Sequence, residues 1–325
     1  MTNSSLQPDS IDENINITST GGLNHSLDQG FTWVVRSFAF ITVFILFWMI
    51  WVVYQEAYPA INKFGLGFIF SQDWDTGAPA YGALPYIYGT LISSAIAILI
   101  AVPVGLAIAL VTSEDFLPKW VKSPIAFLVE LIAAIPSVII GLWGIFVLIP
   151  ILVPFQQWLY SFFGWIPLFN TEDTSGNNML TAGIVLAIMI LPTMAAISRD
   201  VLLVIPKQLR SGAMALGSTR WETIFRVLLP TGFSGIVGAA MLALGRALGE
   251  TMAVTMVIGN DAFISPSLLD AAYTIPAVLA NEFAEAENRL HVGALTYLAL
   301  ILFVLTLLVN IGAVVLVQVL DKNKK

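Results

Sequence analysis

The sequence predicts an all-α membrane protein of about six transmembrane helices. Three observations carry that expectation. Of the 325 residues, 58% are hydrophobic and only 11% are charged, where a soluble domain carries about 25% charged residues. The mean hydropathy is +0.86. The charges cluster at the ends of long uncharged runs, and a spanning helix needs about 20 mostly apolar residues. Backbone groups inside a bilayer must pair within their own segment, so such runs fold as helices. The two-residue alternation of a barrel strand is not seen.

Residues 1–30 carry four acids and no Lys or Arg among many Asn, Ser and Thr. This composition predicts a disordered acidic, polar tail ahead of a transmembrane domain over 31–325. It has neither the basic nor the apolar region of a signal peptide. Trimming the uncharged runs at Gly, Pro and Asn clusters gives spans at about 32–55, 85–111, 124–153, 179–198, 233–258 and 293–320. Pro103, Pro136 and Pro150 interrupt the second and third spans, and each frees a carbonyl. The stretch 154–178 opens with Trp158, Tyr160, Phe162, Phe163 and Trp165, and aromatics prefer the headgroup level. It is therefore expected to lie along the outer surface. Glu130 near the start of span three reads as an interfacial carboxylate or as a partner for an inner-loop cation. Glu282, Glu285 and Glu287 read as a solvated acidic face or as a docking patch.

The short loops orient the chain. With the N-terminus inside, ten Lys and Arg fall on inner segments and only Lys63 and Arg289 on outer ones, so both termini are expected in the cytoplasm. Other classes are excluded by what is missing. There are no cysteines and only two histidines, His25 and His291, so no metal site and no cofactor are expected. A net charge of −7 argues against nucleic acid. No G-x-x-x-x-G-K-[ST] loop is present to bind ATP phosphates, and no nucleophile motif marks an enzyme.

The longest inner loop, 199–231, has net charge +3. Pro206 can open a helix over Lys207 to Leu216, and Gly217 suits a C′ position with positive φ. Thr219 and Glu222 have capping-box spacing for a second helix that ends at Pro230. Two short helices around a glycine corner are expected. They could simply connect spans, or they could receive force from a partner.

Span five contains Arg246 and Glu250. A charge at the bilayer centre costs about 2.5–3.5 kcal/mol on insertion scales, so both must face protein or a wet path. Their i, i+4 spacing predicts one helix face. They could form a structural ion pair, or line an anion pathway in which the planar guanidinium grips an oxyanion. Thr251 beside them would line the same path.

These segments resemble a known family. Ser211-Gly212-Ala213, three residues, Gly217, nine residues and Val227-Leu228-Leu229-Pro230 resemble the EAA loop of ABC importer permeases. Ser211-Gly212 stands for Glu-Ala there, and Val227 for Ile. GRALGETMAVT at 245–255, YGALPYIYGTL at 81–91, ELIAAIPS at 130–137, VLAIMILP at 185–192 and ANEFAEAEN at 280–288 are similar to the PstC family, permeases of ABC-type phosphate importers. The resemblance runs from about residue 55 to 310. It implies a multi-pass subunit of the bacterial inner membrane without its own ATPase site. It further implies a second, PstA-like permease, two PstB-like ATPases and a periplasmic PstS-like phosphate-binding protein as partners. Phosphate would pass Arg246, Glu250 and Thr251. ATPase coupling would use Lys207, Arg210, Ser211, Gly212, Ala213, Gly217, Arg220 and Glu222. The alternatives are a PstA-type subunit, a permease for sulfate or molybdate, and a proton-coupled secondary transporter.

Overall fold

The computed structural model describes residues 22–75, 77, 80–114, 116–172 and 175–322. Most of the acidic tail, residues 1–21, lies outside the described residues. The chain divides into a unit ending at Val52 and a unit beginning at Val53. Helix α1 (Gly22–Phe64) belongs to both. It takes in residues 22–30, which the composition assigned to the tail, because extending an existing helix adds one hydrogen bond per residue. Within the first unit its apolar side chains stand exposed, Phe40 and Phe47 among them. A lipid-facing helix has this character.

The second unit continues with a short helix α2 (Gly67–Phe70). A two-residue hairpin follows, β1 (Trp74–Asp75) against β2 (Ala80–Tyr81). The long helices are α3 (Leu84–Ser113) and α7 (Met179–Val204). Between them lie α4 (Lys119–Ala134), α5 (Ser137–Trp143), a π turn at Gly144–Leu148 and α6 (Ile149–Phe163). After α7 come α8 (Lys207–Ala215), α9 (Arg220–Thr223), a second π turn at Ile224–Leu228 and α10 (Leu229–Gly249). The chain ends through α11 (Met252–Val257), α12 (Ile275–Glu282) and α13 (Arg289–Lys322). Among the described residues, six helical stretches are long and apolar enough to cross a membrane: 28–64, 84–113, 137–163, 179–204, 220–249 and 289–319.

Small residues make the core. Lipid tails are as apolar as leucine, so helices associate in a membrane through close packing rather than hydrophobic drive. On α7, Gly183 lies so close to Ile96 of α3 that a Cβ would stand 2.5 Å from its Cγ2. A Cβ on Gly105 of α3 would stand 2.7 Å from Cγ of Met194 on α7. Ala97, Ala101, Leu186, Ile190, Ala239 and Ala243 fill the space between α3, α7 and α10 and are buried.

Two spans differ from the sequence expectation. Span three is not one helix over 124–153. It breaks at Ile135, whose ψ of 126° is extended, because the ring of Pro136 disfavours helical geometry in the residue before it. Its far part runs on through α6, covering 154–163, which was expected to lie in a surface segment. There Gln156 is fully buried over the start of α7. Its amide donates to Asn178 Oδ1 and Thr181 Oγ1 at 3.3 and 2.9 Å, and Asn178 Nδ2 donates back to Gln156 Oε1 at 3.0 Å. Span five starts at Arg220 rather than 233 and stops at Gly249 rather than 258.

Candidate functional site

The early end of α10 changes the geometry of the charged pair. Gly249 is the last helical residue, and glycine favours a helix end over a helix interior. Glu250 follows in extended geometry, φ −69° and ψ 127°. Arg246 therefore sits in the last turn, where the negative end of the helix dipole suits a cation. Glu250 sits beyond it, at an unwound joint. The two do not share a helix face, and no ion pair joins them among the described residues. Glu250 Oε1 instead accepts the N–H of Ala253 at 3.4 Å, so it faces the first turn of α11. Thr251 Oγ1 donates to the carbonyl of Gly249 at 3.2 Å. Arg246 is exposed, while Glu250 and Thr251 are half-buried.

The joint lies about half-way along α7. Gly235 of α10 packs on Val201. Gly144 touches both Val185 and Val257, so α10 and α11 run antiparallel to α7. From Gly235 to Arg246 is a rise of about 16 Å at the α-helical pitch. The same step back from Val201 reaches Ile190, within the helix Met179–Val204. Irregular backbone at membrane depth persists only where it is buried in protein or lines a cavity. Beside the joint, α10 and α13 line an open cleft of about 760 Å³, with Gly238, Leu242, Gly245 and Asn310 among its walls. A Cβ on Gly238, Gly245 or Gly249 would meet nothing within 4 Å.

The loop after α7 is built as its local grammar requires. Gly217 has φ +89°. Its N–H reaches Met214 O at 3.0 Å, and the Ser218 N–H reaches Ala213 O at 3.2 Å. That bond pair is the Schellman motif. Thr219 and Glu222 form a complete capping box: Glu222 Oε2 accepts the Thr219 N–H at 2.9 Å, and the Glu222 N–H donates to Thr219 Oγ1 at 3.3 Å. Lys207, Ser211, Gly212 and Arg220 are exposed, and Ala213 is half-buried. Arg210 is turned inward. Its guanidinium binds Glu114 and two carbonyls of the same chain. Glu222 and Arg210 thus shape the loop from within. Two residues escaped the sequence reading. Trp221 and Phe225 are 60% and 61% exposed, and Trp221 stacks on Phe116 at 5.3 Å. Their i, i+4 spacing next to a basic stretch was the available sign.

At the opposite end, Glu282 is not a free member of an acidic face. Its Oε2 accepts the Trp74 indole N–H at 3.0 Å and meets His291 Nε2 at 3.1 Å. Tyr81 stacks on the His291 ring at 5.5 Å. Burial, with Glu282 and Asp75 adding to it, pushes the Tyr81 hydroxyl up from its ordinary pKa, so it stays neutral. Glu285 and Glu287 remain exposed.

Residues 101–325 match the family of the binding-protein-dependent transport system inner membrane component. The chain is 47% identical over 261 residues to a phosphate transport system permease protein PstC from Mesorhizobium japonicum, covering 79% of this chain and 80% of that one. A PstC from Pasteurella multocida is 39% identical across 94% of this chain and 96% of its own length. A probable PstC from Methanocaldococcus jannaschii is 38% identical across 84% and 88%. Among solved structures, a bacterial ABC transporter involved in importing the acidic polysaccharide alginate superposes with TM-score 0.53 at 18% identity, covering 89% of this chain and 98% of that one. The inward-facing MetNI methionine ABC transporter gives 0.52 at 18%, covering 73% and 94%. These two likenesses concern the fold.

Proposed function

Because the chain belongs to the binding-protein-dependent transport inner membrane family, and within it to the PstC permeases, we infer that it is the transmembrane permease subunit of an ATP-driven phosphate importer. The observation that supports this reading most directly is the unwound joint. An exposed arginine at about mid-depth, beside a broken helix, suits a passing anion.

In this reading the chain does no bond chemistry. Phosphate reaches it from a PstS-like binding protein in the periplasm, and a PstA-like permease closes the other half of the path. Arg246 offers its fork to two phosphate oxygens and offsets part of the cost of leaving water. Glu250, close by but unpaired with Arg246, limits how tightly the anion is held, so that it can leave. Thr251 adds a hydroxyl to the same wall. Two PstB-like ATPases dock on the cytoplasmic loop through Lys207, Ser211, Gly212, Ala213 and Arg220, with Gly217 and Glu222 fixing its shape. ATP binding then shifts the population between inward- and outward-open states. The subunit resides in the inner membrane.

The test is reconstitution. The chain is co-expressed with its paired permease and ATPases, and the complex is placed in proteoliposomes with ATP inside and loaded binding protein outside. Labelled phosphate should accumulate with ATP and not without it, and labelled sulfate should not. Uptake driven by a proton gradient without ATP would overturn the reading in favour of a secondary transporter. Equal uptake of sulfate would overturn the choice of phosphate.

A further inference from the structure

We propose that Arg210 and Glu114 form a force-transmitting clamp, through which movement of the cytoplasmic docking helix reaches the transmembrane core. The proposal rests on the permease reading above and assigns Arg210 a role other than touching the ATPase.

Arg210 belongs to α8, the exposed helix of the loop. Glu114 is the residue that ends α3, 96 positions earlier in the chain. Their side chains are each 16% exposed. Arg210 Nε lies 3.0 and 3.3 Å from the two Glu114 carboxylate oxygens, and one terminal nitrogen donates to Glu114 Oε1 at 2.8 Å. This is the two-pronged geometry that lysine cannot reproduce. The same guanidinium also donates to the carbonyls of Leu202 and Ile205, both at 2.7 Å. Leu202 O is among the last carbonyls of α7 (Met179–Val204), which lack partners within the helix and carry the negative end of its dipole, and Ile205 is the extended residue that ends the helix. One side chain therefore joins three elements: the docking helix, the end of α3 and the end of α7.

Beneath the clamp lies a small apolar cluster of Ala109, Leu202, Ile205, Ile224 and Leu228. It holds the same helix ends and the π turn that leads into α10. Above it, α3 and α7 are locked by the glycine contacts of Gly105 and Gly183. A push on α8 is thus delivered to a stiff helix pair, and α10, which packs on α7, carries Arg246 at its far end. A merely local role for the pair would need only one bond from Arg210, to either partner. Four of the five guanidinium N–H groups are engaged here, between the end of α3 and the end of α7.

The experiment uses the whole reconstituted complex and reads phosphate taken up per ATP hydrolysed. Glu114→Gln keeps the shape and removes one charge; Arg210→Lys keeps the charge and loses the fork. Each should let the complex assemble yet lower the uptake-to-hydrolysis ratio roughly tenfold, the scale of one lost charge-assisted hydrogen bond. The reciprocal swap Glu114→Arg with Arg210→Glu restores opposite charges but sets a carboxylate against the Leu202 and Ile205 carbonyls, so it should not rescue the ratio. An unchanged ratio in both single variants would overturn the clamp, and so would full rescue by the swap. Because the chain contains no cysteine of its own, spin labels at introduced cysteines Thr112→Cys and Gln208→Cys are read against the same complex carrying the cysteine-free chain, which supplies the background from the partner subunits. In the native pair their separation should stay constant through the ATP cycle, even in a preparation where the variants assemble poorly. A separation that changes between nucleotide states would likewise overturn the proposal. Failure of the permease reading looks different: the unaltered complex would then show no ATP-driven phosphate uptake at all.

Discussion

Gly217→Ala isolates the conformational cost of the docking corner. At φ +89° a Cβ at this position would meet nothing within 4 Å, so the substitution introduces no clash. What remains is the intrinsic penalty of a left-handed L-residue, about 1–2 kcal/mol. A penalty of about 1.4 kcal/mol lowers the population of the folded corner relative to its alternatives tenfold. The two bonds that close the α8 end, from the Gly217 and Ser218 N–H groups, depend on that corner. Asparagine tolerates the same region better than alanine, and valine tolerates it worse. The expected order of coupled ATP hydrolysis is therefore glycine, then asparagine, then alanine, then valine, with membrane insertion equal in all four. Phosphate-stimulated hydrolysis by the purified complex measures the order, and hydrogen exchange over 207–223 measures the corner directly. Equal activity of the alanine and asparagine variants would refute the reasoning, since nothing but φ distinguishes their sites here.

Other perturbations have equally specific outcomes. Arg246→Gln should cut phosphate uptake at least tenfold, about one charge-assisted hydrogen bond, while complex yield holds; Glu250→Gln should bind phosphate more tightly and turn over more slowly. If both variants instead lose assembly together, the pair is structural. Gly89→Ala would set a methyl 2.2 Å from the Tyr273 carbonyl oxygen, where backbone must shift, so the complex should lose about 1–3 kcal/mol, visible as a lower melting temperature. Unchanged melting would mean that α3 and the Tyr273 segment are not in this contact. Gln156→Leu leaves Asn178 Nδ2 without its acceptor in a buried site. It should cost about 1–3 kcal/mol, and a further Asn178→Ala should add less than it does alone, as a double-mutant cycle would show.

Local grammar was readable and distant pairing was not. Gly217, Thr219 and Glu222 announce the loop because each acts on neighbours within a few residues. The spans announce themselves by hydropathy, which sums over about 20 residues and tolerates single errors. Their ends were less legible. The break at Ile135 follows from Pro136, and its cause was visible; the break after Gly249 was hidden, because glycine is frequent in membrane helices and most glycines there do not end them. Arg246 and Glu250 could be found as charges in an apolar run, but their spacing suggested a shared face that the unwound backbone does not provide. The Arg210 clamp to Glu114 depends on tertiary packing across 96 residues, and no local pattern records it. Arg210 therefore read as one more basic residue on a surface helix.

The π turn at Ile224–Leu228 has a consequence for how this protein can change length. Such a turn is an α-helix holding one surplus residue. Pro230 stands just after it and could not have donated a helical bond in any case. Deleting a single residue within 224–228 lets the turn relax to ordinary α geometry with both flanks still in phase. Deleting one between 232 and 245 leaves no slack, and everything beyond it rotates by about 100°, Arg246 included. The region next to the docking loop is therefore tolerant of a one-residue deletion, and the region next to the charged joint is not.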